Sequence, residues 1–343
     1  MTSTSAERAA SGFMMIGFDG HEVTSHVSEF IRSGAFGVIL FARNYTNRDQ
    51  VLALSSAVKA CPASGAGVAV AVDHEGGRVQ RFRGPGFTDS PPMRDMTREW
   101  GAHLNGPEHR ARALGQLFAV ELRPIGIDID FAPVLDVDSN PDNPVIGERA
   151  FSHDAEIVAA LGAAVIEGLQ SGGVAACGKH FPGHGDTDMD SHHHLPRLNH
   201  DLERLRRVEL VPFRAAIRAQ VASIMTSHIL FSALDPTRPA TMSPVVLRGI
   251  LRDELGFDGV IVSDDLEMKA IAEHFEMPGA AVEAAKAGCD LLLCCHTPSL
   301  QCAIRDALAK AIRDGELSEE RVAESERRRA TLASRYVRGV RDR

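Results

Sequence analysis

Val68-Ala69-Val70-Ala71-Val72-Asp73-His74-Glu75-Gly76-Gly77-Arg78 joins an unbroken apolar run to a cluster of charged residues and glycines. A run of small and β-branched residues with no polar alternation reads as a strand buried on both faces, the habit of parallel sheets. The abrupt switch to Asp, His, Glu and Arg marks where that strand reaches the surface. The same unit recurs on either side. Strand-type runs occupy residues 13–18 and 36–41 before it, and 127–131, 174–177, 223–227, 259–263 and 290–294 after it. Helical patterns fill the gaps at 21–33, 48–60, 109–122, 154–170 and 201–219. Eight such units predict an α/β fold, a single (β/α)8 TIM barrel spanning residues 1–343 as one domain. A doubly wound sheet would want a glycine-rich phosphate turn after its first strand, and Gly17-Phe18-Asp19-Gly20 is not one.

Composition removes several functions. The 343 residues carry a net charge of −9 and no basic stripe, which argues against a nucleic-acid surface. The N-terminus lacks the apolar core of a signal peptide, and no window approaches the roughly 18 apolar residues of a membrane span. Six cysteines without metal-type spacing read as reduced core residues of a cytosolic protein. The arginine-rich tail, interleaved with Glu319, Glu320, Glu324 and Glu326, reads as a solvated terminal helix over roughly residues 316–340. A cytoplasmic monomer with no membrane or nucleic-acid partner is expected.

In a barrel of this kind the loops after the strands carry the chemistry. Those loops begin Asp73-His74-Glu75, continue through Arg81, and include Asp136, Arg149, the stretch from Lys179 and His180 to Asp190-Ser191-His192, His228, and Ser263-Asp264-Asp265. Asp264 sits closest to its strand end and is aimed at the mouth, with Asp265 capping or bracing. Asp190 lies two residues from His192, a spacing that lets a carboxylate orient an imidazole for proton transfer. Lys179, Arg81 and Arg149 beside several carboxylates suggest a polyhydroxylated ligand held by hydrogen bonds. The histidines of the 180–194 stretch also leave a metal-dependent hydrolase open, although Pro182, Gly183 and Gly185 rule out a helical zinc motif.

Taken together, Ala71-Val72-Asp73-His74-Glu75-Gly76-Gly77-Arg78-Val79-Gln80-Arg81, Phe131-Ala132-Pro133-Val134-Leu135-Asp136, Ile146-Gly147-Glu148-Arg149, Lys179-His180-Phe181-Pro182-Gly183-His184-Gly185, Asp190-Ser191-His192 and Ser263-Asp264-Asp265-Leu266 resemble the β-N-acetylglucosaminidases of glycoside hydrolase family 3. The resemblance implies Asp264 as nucleophile, His192 as general acid/base and Asp190 as its partner. It implies Asp73, Arg81, Arg149, Lys179 and His180 as sugar-binding groups, with no cofactor and no metal. The implied substrate is a small molecule, an N-acetylglucosaminyl-1,6-anhydro-muropeptide of cell-wall recycling. A phosphorolytic variant of the same family is the nearer alternative.

Overall fold

The computed structural model describes residues 3–61, 67–96, 106–188 and 195–339. Eight strands, β1 (Met14–Ile16), β2 (Gly37–Leu40), β3 (Ala69–Val72), β4 (Ile129–Asp130), β5 (Ala175–Phe181), β6 (Ser223–Thr226), β7 (Val260–Asp265) and β8 (Leu291–Cys294), form a closed barrel in sequence order. Each runs parallel to the next, and β8 closes on β1 with Met14 opposite Leu292 and Ile16 opposite Cys294.

Most strand residues on both faces are apolar because each face has a core to fill. Met15, Ile39, Ala71, Ile129, Cys177, Met225, Val262 and Leu293 point inward and fill the barrel. Val38, Leu40, Val70, Val72, Ala176, Ile224, Ile261 and Leu292 pack outward under the helices. Helix starts follow local capping. Asn47 accepts from the N–H of Gln50 ahead of Arg48–Ala60, and Asp154 accepts from Glu156 and Ile157 ahead of Ala155–Ser171.

Three expectations need correction. The helix expected over 201–219 is two, Leu202–Arg207 and Leu210–Arg218. Pro212 has no N–H to give the carbonyl four residues back, and its ring crowds that carbonyl, so the chain breaks at Val208. Strand β5 does not stop at Cys177 but runs on through Phe181, carrying Lys179 and His180 within it. The terminal helix, Glu319–Tyr336, is only partly solvated: Arg321 and Arg329 are 4% and 6% exposed. Their reason is the floor of the barrel.

Two aspartates, each just ahead of a strand, close that floor in the same way. Asp128, before β4, accepts from the N–H of Val70 on β3 at 3.0 Å, from Lys59 at 2.5 Å and from Arg123 at 3.1 Å. Asp290, before β8, accepts from the N–H of Ile261 on β7 at 3.0 Å, from Arg252 at 2.6 Å and from Arg321 at 3.0 Å. The terminal helix crosses between them. Arg329 donates to the Asp290 carbonyl, while Arg123 and Lys59 donate to the carbonyls of Tyr336 and Arg338. Among the described residues no helix is long and apolar enough to cross a membrane.

Candidate active site

Polar groups absent from the barrel wall collect at the opposite end. Asp73 ends β3, and the chain then turns through a small hairpin, His74–Gly76 against Val79–Gln80. Gly76 and Gly77 make that turn at φ +92° and +54°, and a Cβ on either would come within 2.8 Å of Pro91 or Pro92. The hairpin is therefore jammed against 91–92, which fixes Glu75 beneath the mouth at 1% exposure.

Strand β5 supplies the cation. Its pairing with β6 slips register between Gly178 and Phe181, an irregularity of the kind that redirects side chains next to functional sites. Lys179 Nζ lies 2.8 Å from Asp73 Oδ1 and 2.7 Å from Glu75 Oε1. Arg149, on the short turn Gly147–Arg149, grips Glu75 with Nε and Nη2, both at 2.8 Å. Arg81 Nη2 reaches Asp73 Oδ2 at 3.3 Å. Burial pushes the Asp73 and Glu75 carboxyls up, but the cations outweigh it. Lys179 then Arg81 hold Asp73 below its ordinary value, and Arg149 then Lys179 hold Glu75 well below.

His180 is anchored from below. Asp136 Oδ2 lies 2.7 Å from His180 Nδ1, while Oδ1 accepts from the N–H groups of His180 and His184 at 3.1 and 2.7 Å. Burial pushes Asp136 up, and His180 with these hydrogen bonds brings it below the usual carboxylate range. The buried His184 ring, 5.8 Å from that of His180, meets Thr187 Oγ1 at 2.9 Å. Burial, reinforced by His180, lowers its imidazole to about 4, so it is neutral at pH 7.

Asp264 arrives from β7, whose pairing with β8 also slips register between Val262 and Asp265. It lines one cavity of about 310 Å³ together with Asp73, Glu75, Arg81, Arg149, Lys179 and His180. Asp265 braces: its Oδ1 accepts from the N–H groups of Glu267 and Cys295, both at 3.2 Å. Behind β7, His228 Nε2 donates to the Asp265 carbonyl at 3.0 Å, a direction the carbonyl dictates. A second compartment of about 370 Å³ adjoins the first, sharing Asp73, Arg81, Met225 and Asp264 and walled by Phe41, Met268 and His296.

Six of the expected residues, Asp73, Arg81, Arg149, Lys179, His180 and Asp264, thus meet in one place. Asp190 and His192 lie outside the described residues. Glu75, Asp136 and His184 are not among the expected site residues, though all three fall inside the motifs that carry the resemblance. Among the described residues no group of His, Cys, Asp and Glu is arranged to hold a metal ion. The site offers fixed cations, fixed acceptors and a carboxylate at the end of a strand, groups able to hydrogen-bond a polyhydroxylated ligand and to present a nucleophile.

The comparisons with known proteins agree. A family model described as the Glycosyl hydrolase family 3 N terminal domain matches residues 12–332. A Beta-hexosaminidase of Methylococcus capsulatus is 45% identical over 291 residues, 84% of this chain and 84% of that protein. Among solved structures, a glycoside hydrolase family 3 beta-N-acetylglucosaminidase from Paenibacillus sp. is similar with a TM-score of 0.91 at 41% identity, over 96% of this chain. The present chain spans only 62% of that protein. NagZ from Neisseria gonorrhoeae, in complex with N-trifluoroacetyl-D-glucosamine, is similar with a TM-score of 0.78 at 35% identity, over 94% of this chain and 97% of that one. With a matching model over nearly its whole length and a barrel mouth built for sugar chemistry, this chain is a glycoside hydrolase belonging to glycosyl hydrolase family 3.

Proposed function

We propose that the protein is a retaining exo-β-N-acetylglucosaminidase that removes non-reducing, β-linked N-acetylglucosamine from 1,6-anhydro-muropeptides in cytoplasmic cell-wall recycling, acting as a monomer through one barrel domain. The observation that carries this reading is the convergence of Asp264 with Asp73, Arg81, Arg149, Lys179 and His180 on a single cavity. The beta-hexosaminidase and beta-N-acetylglucosaminidase names of its relatives, and the N-acylglucosamine held by the Neisseria protein, support the choice of sugar.

In this mechanism the sugar hydroxyls replace water on Lys179, Arg149, His180 and Asp73. The Nε of Arg81, buried and without a partner among the described residues, takes a further oxygen. His192, oriented by Asp190, gives a proton to the glycosidic oxygen. Asp264 attacks the anomeric carbon as the bond to the leaving group breaks, forming a glycosyl ester. His192, now neutral, takes a proton from water, which hydrolyses the ester with overall retention. A histidine suits the post because, once deprotonated, it does not repel the carboxylate nucleophile or an acidic peptide on the leaving group.

The test is mass spectrometry after trapping with a 2-fluoro glycoside. A glycosyl adduct on the peptide containing Asp264 is expected, and an adduct on another residue, or inversion at the anomeric carbon, would overturn the mechanism. Product analysis in phosphate buffer should return free N-acetylglucosamine; its 1-phosphate would indicate the phosphorolytic variant.

A further inference from the structure

Glu75 is the most enclosed carboxylate in the cavity lining, and both its oxygens are used. Its Oε1 bridges Lys179 Nζ at 2.7 Å and Arg149 Nη2 at 2.8 Å, while Oε2 takes Arg149 Nε at 2.8 Å. These two cations come from different elements, strand β5 and the turn Gly147–Arg149, and both meet the same oxygen of Glu75. The bidentate fork sets the plane of the guanidinium as well as its position. The jammed glycine turn behind Glu75 keeps the fork from drifting.

Charge adds a second effect. The lining holds four cations, Lys179, Arg149, Arg81 and Arg78, against three carboxylates, Asp73, Glu75 and Asp264. Glycoside hydrolysis passes through a transition state with positive charge on the sugar ring. Removing one carboxylate raises the cationic excess of the lining from one to two where that charge develops.

From this geometry we infer that Glu75 is a positioning residue: it acts through Lys179 and Arg149 to orient them on the bound sugar, and its charge limits the cationic excess that the transition state meets. The assignment rests on the glycosidase reading above. Glu75→Gln, which keeps the shape and removes the charge, should lower kcat for p-nitrophenyl N-acetyl-β-glucosaminide by about a hundredfold. It should also weaken competitive inhibition by N-acetylglucosamine. Because Glu75 works through Arg149, the double variant Glu75→Gln/Arg149→Met should lose no more than about threefold beyond the worse single variant. A role confined to folding would lower the melting temperature and leave kcat of the folded protein intact.

Wild-type protein that releases p-nitrophenol, together with a Glu75→Gln variant of unchanged kcat or fully additive losses in the double variant, overturns the assignment alone. Wild-type protein that releases none overturns the glycosidase reading and this assignment with it. Should Glu75→Gln fail to fold, Glu75→Asp carries the same test: it keeps the charge but withdraws the fork by one methylene, and wild-type kcat in that variant would overturn the proposal.

Discussion

The main-chain N–H of Asp265 donates to Oδ1 of Asp264 at 2.8 Å, so the carboxylate at the barrel mouth is braced by the residue that follows it. Asp265 is itself tied to Cys295, the residue after β8, and His228 holds its carbonyl. One oxygen of Asp264 is thereby committed to orientation, which suits a group that must attack along a single line.

Asp264→Ala should therefore abolish turnover, with kcat for p-nitrophenyl N-acetyl-β-glucosaminide lowered by about a thousandfold or more. Circular dichroism should show the barrel intact, since Asp264 lines a cavity and not the core. Near-wild-type turnover would remove Asp264 from the mechanism.

His74 predicts an acid-sensitive fold. Its ring is packed against Phe82, Phe87 and Phe118, and neither ring nitrogen has a partner among the described residues. Burial, helped by Arg83 and Arg81, lowers its pKa to about 3. The unfolded chain takes up a proton as pH falls below 6.5 and the folded chain refuses it, so stability drains away between 6.5 and 3. At pH 5 this amounts to about 2 kcal/mol. In urea titrations at pH 7.5 and 5, the midpoint of His74→Leu should shift less between the two than that of wild type; parallel shifts would show that His74 is not the group responsible.

Chelation should leave activity unchanged. The carboxylates a divalent ion would need are already engaged, Asp73 with Lys179 and Arg81, Glu75 with Lys179 and Arg149, and Asp136 with His180 and His184. Dialysis against EDTA followed by assay checks this. Loss of turnover with recovery on zinc would favour a metal-dependent hydrolase instead.

Asp290→Asn separates stability from catalysis. It leaves Arg252 and Arg321 buried with a neutral partner at the far end of the barrel, at a cost of about 3–5 kcal/mol. Denaturant unfolding should show that loss while kcat/KM of the folded protein stays at the wild-type value. A fall in kcat/KM would mean that the floor communicates with the mouth.

Much of this architecture is legible in the sequence because barrel strands are apolar on both faces and stand out between helices. Every one of the eight strands overlaps its expected run, and the placement of Asp73 and Asp264 at strand ends follows directly. What sequence does not carry is register. The slips in β5 and β7 depend on neighbouring strands, so nothing local announces that Lys179 and His180 lie inside the sheet. Long-range partners are equally silent. Arg321 reads as a surface residue because its acceptors, at 285, 289 and 290, are contributed by another unit of the fold. Glu75 was hidden for the opposite reason: it stands among charged neighbours, and only its 1% exposure separates it from them.

The paired floor aspartates also bear on the order in which the protein can mature. Before residues 319–339 have docked, Asp290 lacks Arg321, and Arg123 and Lys59 beside Asp128 lack the carbonyls of Tyr336 and Arg338. The barrel can be drawn but not latched, so its closure waits on the last helix. A chain truncated after residue 318 should be cut readily by protease at sites that resist in the full chain, and equal resistance would show that the terminal helix is an ornament to a barrel already shut.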